Sequence, residues 1–156
     1  MYGSPKESGV DAGRLIVEIS EDECQQLLAS KSVGRLAVST DVGPEIFPVN
    51  YGVLDGSIVL WAAAGTKLDH ASFDRVAFEV DDLDAESRTG WVVEAKGRSE
   101  DITDTGDKWT SSLREVPVRP WVAGPHPNCV AILRPRLSGR RLVPAESASG
   151  ADPDKD

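Results

Sequence analysis

The chain has 156 residues, enough for one domain with a real core and short for two domains of ordinary size. Hydrophobic residues make up 40% and charged residues 28%, ordinary values for a globular protein, and acidic side chains outnumber basic ones 26 to 17. The net charge of −9 disfavours general attraction to nucleic acid or an anionic membrane, and the apolar run Ile58–Ala64 is far below the ~20 residues that span a bilayer. The first residues lack the apolar segment of a signal peptide, so the expected location is cytoplasmic, with neither nucleic acid nor membrane as partner.

In chain order, residues 1–14 are polar and rich in Gly and Ser and read as a flexible arm. Ser20-Glu21-Asp22-Glu23 is a capping box, with Ile19 and Cys24 placed to staple it, and the helix it opens runs to about Ser30. Ser32-Val33-Gly34 breaks that helix, and Val33–Thr40 reads as a strand ending in the turn Asp41–Pro44. Glu45–Leu54 alternates Phe47, Val49, Tyr51 and Val53 against Ile46, Pro48 and Asn50, the period of a half-buried strand. Asp55-Gly56 is a hairpin signal, and Ile58–Ala63 is apolar without alternation, as in a strand buried on both faces. Ala64–Lys67 leads into a predicted short helix over Leu68–Phe73. Strands follow over Arg75–Val80 and Trp91–Arg98, with Asp81–Thr89 between them as an acidic loop. A short helix weakened by Gly106 is predicted over Thr103–Leu113, then a long loop with four prolines over Glu115–Asn128. Val130–Arg134 and Leu137–Val143 form a last pair of strands, and the polar tail from Pro144 reads as disordered. The expectation is a mainly β fold, a barrel or sandwich of six or seven short strands with a few short helices. One domain, 15–143, lies between the arm 1–14 and the tail 144–156.

Several chemistries have no support. There is no dinucleotide or P-loop glycine pattern, no Gly-x-Ser-x-Gly elbow, and no His or Cys pair at metal spacing. Cys24 and Cys129 stand far apart and read as small apolar thiols. Asp69, His70 and Asp74 could meet on one helical turn, although a solvated helix face explains them as well. Any chemistry here would be supplied by an organic cofactor.

Three segments could hold one. Pro48-Val49-Asn50-Tyr51 sets an amide in an apolar strand, suited to a heterocycle with one polar edge or to a strand with one solvent-facing amide. Gly65-Thr66-Lys67 could cradle a phosphate, by close backbone approach, a hydroxyl and a point charge, or could simply start a helix. Trp61, Trp91 and Trp121 are rings for packing, and Trp121, on the proline-rich loop, could cover a ring or plug a subunit interface.

Taken in order, Val33-Gly34-Arg35-Leu36-Ala37, Pro48-Val49-Asn50-Tyr51, Gly65-Thr66-Lys67-Leu68, Val76–Asp81, Gly90-Trp91-Val92-Val93 and Ser138-Gly139-Arg140-Arg141 resemble the pyridoxamine 5'-phosphate oxidase-like family of flavin-binding split β-barrels, and more narrowly its actinobacterial flavin and deazaflavin oxidoreductases. The resemblance covers about Ile19–Val143. It implies an antiparallel split β-barrel that forms a homodimer with FMN at the subunit interface. The ring would lie along Pro48, Val49, Asn50 and Tyr51 and beside Trp61, Ala62 and Ala63. The phosphate would meet Thr66 and Lys67, and Trp121 and Arg140 would come from the partner subunit. Ala62 and Ala63 stand where many relatives carry a basic or hydroxyl residue, and the C-terminal Arg and His motif of true pyridoxamine-phosphate oxidases is not visible. The reading that results is an FMN-dependent oxidoreductase of unknown substrate that is not a vitamin B6 enzyme. No side chain stands out as its acid or base, with Tyr51 and His70 as candidates. The alternatives are a reductase that uses reduced deazaflavin and draws on convergent arginines, or a non-catalytic flavin carrier or scaffold with a degenerate site.

Overall fold

The computed structural model describes residues 13–69 and 72–148. The chain forms strand β1 (Arg14–Ile19), helix α1 (Glu21–Ala29) and then β2 (Val33–Thr40), β3 (Gly43–Asn50), β4 (Gly52–Leu54), β5 (Ser57–Ala62), β6 (Phe73–Asp84) and β7 (Thr89–Asp101). Helix α2 (Lys108–Arg114) precedes β8 (Asn128–Ile132) and β9 (Arg136–Pro144), and a 3-10 turn spans Ala145–Ala148.

Local chemistry sets the ends of α1. The Ser20 side chain accepts from the Glu23 amide at 3.3 Å, and three acidic residues fill the first turn, where the helix dipole favours negative charge. Cys24 and Leu28 are its buried residues, and Glu23 pairs with Arg141 of β9. The Asp55-Gly56 hairpin forms as its sequence predicts, with both residues at positive φ (50° and 77°), the backbone that a tight two-residue turn needs.

All strand pairs are antiparallel, in the order β3-β2-β6-β7-β8-β5-β4. The long β6–β7 hairpin is its spine. One edge of β7 lies against β6, while the other is shared: Gly90–Lys96 pairs with β9 and Ser99–Asp101 with β8. The sheet therefore branches at Gly97, sending β9 and β1 one way and β8, β5 and β4 the other. It curls into a half-barrel that leaves β3 and β4 as the two ends of the main strand path.

Inside the curl, Leu28, Leu36, Ile58, Leu60, Phe78, Val80, Val93, Val130 and Ile132 make the main core. Gly34 has no side chain because the Phe78 ring fills the space, and a Cβ there would fall 2.2 Å from the Phe78 ring. A smaller core of Val59, Ile102, Leu113, Cys129 and Ala131 lies under α2, with the Arg134 guanidinium 4.6 Å from the Trp109 ring centre.

The mainly β class and the split-barrel curl are as expected, and several boundaries differ. The predicted helix over Leu68–Phe73 does not form where the chain is described: Ala64–Asp69 is a series of turns and Phe73 opens β6. The acidic loop over Asp81–Thr89 is mostly hairpin, because β6 continues to Asp84 and pairs in register with β7. Strand β1 was hidden by its run Leu15-Ile16-Val17, which shows no alternation, and β9 holds it from Arg14 to Ile19. The predicted strand Glu45–Leu54 is two strands parted at Tyr51, and with β1 the described residues form nine strands. Pro144 belongs to β9 rather than to the tail, while most of the arm (residues 1–12) and most of the tail (149–156) lie outside the described residues.

Candidate functional site

The curl leaves a gap beside β3, and the gap is a groove of about 290 Å³. Its walls come from β3 (Phe47–Asn50), from β5 and the residue after it (Leu60–Ala63), from the turn Thr66–Leu68 and from the proline-rich loop (Pro120, Val122, His126). A larger, open trough of about 650 Å³ lies across the outer face of β2, β6 and β7, floored by Ala37 and Ala77. Its walls are strand residues of β2, β3, β6, β7 and β9.

Strand β3 gives the groove its polarity. Side chains alternate along it, Glu45, Phe47 and Val49 half-buried and Pro44, Ile46 and Pro48 exposed. The Tyr51 amide donates to the Ser32 carbonyl at 3.2 Å, which places the odd-numbered backbone groups of this segment on the β2 side. Backbone groups at even positions then face the edge where no strand pairs among the described residues. Two of these even positions are Pro44 and Pro48, residues tolerated only where no ladder donor is required. The open edge thus presents the Pro48 carbonyl as acceptor and, two residues on, the Asn50 amide as donor. The Asn50 side chain is used elsewhere: Oδ1 accepts from the Trp121 amide at 2.9 Å and Nδ2 donates to the Ser32 carbonyl at 3.4 Å.

The turn after β5 is held from within. The Gly65 amide donates to the Asp69 carboxylate at 2.7 Å, and the Thr66 hydroxyl donates to the Ala63 carbonyl at 2.8 Å. The Asn128 side-chain amide reaches the other Asp69 oxygen. Asp69 therefore takes the place an anion would have on the Gly65 amide. Lys67 carries the remaining cationic character of this turn, and its ammonium is paired with Glu45.

Pro48, Val49, Asn50, Trp61, Ala62, Ala63, Thr66 and Lys67 all line the groove. The Trp121 side chain is 76% exposed on its rim, between the lining residues Pro120 and Val122. Tyr51 is not in the groove. It is 4% exposed in the core, its hydroxyl donates to the Leu28 carbonyl at 2.5 Å, and its ring meets Phe78 edge-on at 4.8 Å. Burial raises its hydroxyl pKa well above the ordinary tyrosine value, which argues against an acid–base role. Its position after three groove residues suggests a fourth, but its side chain packs into the core against Phe78. Arg140 lies on β9 between Glu18 and Val92 and does not line the groove. His70 lies outside the described residues.

His126 lines the groove without having been singled out. Its ring nitrogen Nδ1 is 2.9 Å from the Gly124 carbonyl, which can only accept, so Nδ1 is the donor of this bond. Its place between two prolines on the loop that carries Trp121 was the available signal.

A family model of pyridoxamine 5'-phosphate oxidase matches residues 20–141. The chain belongs to the pyridoxamine 5'-phosphate oxidase family. Every lining residue of the groove falls inside the matched span, and β1 falls outside it. Among family relatives, the uncharacterised protein Rv0080 of Mycobacterium tuberculosis is 32% identical over 149 residues, covering 92% of this chain and 96% of that one. The solved structure of an FAD-binding protein from Mycobacterium smegmatis is 31% identical, with a TM-score of 0.66 over 80% of this chain and 98% of that one. An FAD-binding protein from Mesorhizobium loti is 25% identical, with a TM-score of 0.64 over 84% and 99% of the two chains.

Proposed function

We propose that the groove binds the flavin mononucleotide unit that FMN and FAD share, with the ring against β3 and the phosphate end toward Lys67. The observation that carries this reading is the open edge of β3. A carbonyl at Pro48 and an amide at Asn50 complement the alternating acceptor and donor groups on the pyrimidine side of an isoalloxazine. The apolar faces of Val49, Leu60, Trp61 and Leu68 suit the rest of the ring. The two solved structures cited above are named as FAD-binding proteins, in keeping with a flavin.

The bound flavin would supply hydride or electron transfer. The chain's own part is to grip the ring, keep water from one face and place Lys67 near the charged end. Lys67 and His126 are the titratable side chains among the lining residues. This favours a flavin-dependent oxidoreductase in which the cofactor carries the chemistry. A reduced deazaflavin is less well served, because none of the arginines it would draw on, Arg35, Arg119, Arg134, Arg136, Arg140 and Arg141, lines the groove. Arg35 pairs with Glu79 and Asp81, Arg134 covers Trp109 and Arg141 pairs with Glu23.

We propose further that the working form is a homodimer. At about 290 Å³ the groove is at the lower end for a ligand site and is open on one side. Trp121 and Val122 on its rim are 76% and 72% exposed, a surface that a second copy would cover. The test of the flavin reading is a titration of the purified protein with FMN and FAD, followed by flavin fluorescence and the visible spectrum. Saturable quenching is expected, and no change with either flavin would sink it. Sedimentation velocity tests the dimer.

A further inference from the structure

Glu45 interrupts the inward face of β3. It shares that face with Phe47 and Val49, yet it carries a carboxylate. One oxygen pairs with the Lys67 ammonium, and the other is buried with no hydrogen-bond partner. A buried carboxylate oxygen without a donor is costly, so a bystander role is a poor explanation for its presence. The side chain lines a second hollow with Val38, Thr40, Asp41, Val42 and Phe73, and Lys67 lines both this hollow and the flavin groove. Lys67 is therefore the gatepost between the two spaces, and Glu45 holds its ammonium from the side away from the groove.

We infer that Glu45 weakens the groove's hold on a flavin phosphate, by masking the charge of Lys67. The inference rests on the flavin reading above. The phosphate monoester of FMN brings close to two negative charges onto one phosphorus at neutral pH. Meeting Lys67, it also meets the Glu45 carboxylate just beyond. The FAD diphosphate brings the same two charges on two phosphorus atoms, and the hollow past Lys67, about 400 Å³ and open, that would take the second is itself lined by Glu45 and Asp41. Glu45 thus weakens the hold on FMN and FAD alike, and has no effect on riboflavin, which has no phosphate.

The experiment is a fluorescence titration of riboflavin, FMN and FAD into the full chain and into Glu45→Gln, a near-isosteric change that removes the charge. Glu45→Gln should tighten FMN and FAD about tenfold and leave riboflavin within twofold. Lys67→Met is the second arm: in that background Glu45→Gln should tighten FMN by a clearly smaller factor, because no masked ammonium is left to release. If Glu45→Gln moves FMN and riboflavin by the same factor, or moves neither, the role given to Glu45 is wrong while flavin binding stands. If none of the three flavins binds the wild type, the flavin reading fails and this inference fails with it.

Discussion

The backbone amide of Trp121 donates to the side-chain oxygen of Asn50 across 2.9 Å, and that bond ties the proline-rich loop to the open edge of β3. Replacing Asn50 with Ala should free the loop. Flavin affinity should drop about tenfold, the worth of a typical hydrogen bond, and limited proteolysis should cut faster between residues 115 and 127. An unchanged cleavage rate would show that the loop is held by its other contacts.

Tyr51→Phe separates the core from the site. The hydroxyl reaches the Leu28 carbonyl in a buried setting, so its loss should cost about 1 kcal/mol in urea unfolding. Flavin affinity should stay within twofold, because the ring of Tyr51 packs on Phe78 and not in the groove. A large loss of binding at unchanged stability would return Tyr51 to the site.

Asp69→Ala should loosen the turn that carries Thr66 and Lys67. Its carboxylate serves the Gly65 amide and the buried side chain of Asn128, so removal leaves Asn128 short of a partner. A loss of about 1–3 kcal/mol is expected, read as a lower thermal midpoint. A midpoint unchanged within error would mean that the turn is held without Asp69.

The two thiols predict an alkaline weakness. Burial pushes Cys129 from 9.0 up to about 12 and raises Cys24 in the same direction. In the unfolded chain both ionise at their ordinary value, so the folded state keeps its protons longer as pH rises. That contribution is whole below about pH 9 and is lost as pH climbs toward 12, so unfolding in urea should become easier across that window. Cys129→Ala should flatten the slope. In native protein near pH 8 neither thiol should react with iodoacetamide, since both are fully buried.

Much of this arrangement was legible before any coordinates. Alternation gave β3, the Asp55-Gly56 turn gave the β4–β5 hairpin, and the capping box placed α1 to within a residue. The groove residues of β3, β5 and the Thr66-Lys67 turn came from short segments whose order is specific together, although each is weak alone. What stayed hidden depends on partners distant in sequence. Strand β1 exists because β9 pairs with it. The turn at residues 64–69 avoids a helix because Asp69 folds back on Gly65 and is met by Asn128, 59 positions on. Glu45 could not be recognised as a partner of Lys67, because they stand 22 positions apart and nothing between them hints that β3 and this turn meet.

The prolines of β3 have a consequence beyond ligand shape. An unpaired strand edge is a template for other chains, and exposed edges invite aggregation unless something spoils the pattern. Here Pro44 and Pro48 remove two donors from the side of the strand that faces outward, so a stray strand finds only a broken ladder. A small heterocycle needs just one carbonyl and one amide and is not deterred. The same proline pattern that keeps this edge open thus guards it against polymerising through the split, and Val at both positions should make the protein precipitate on standing.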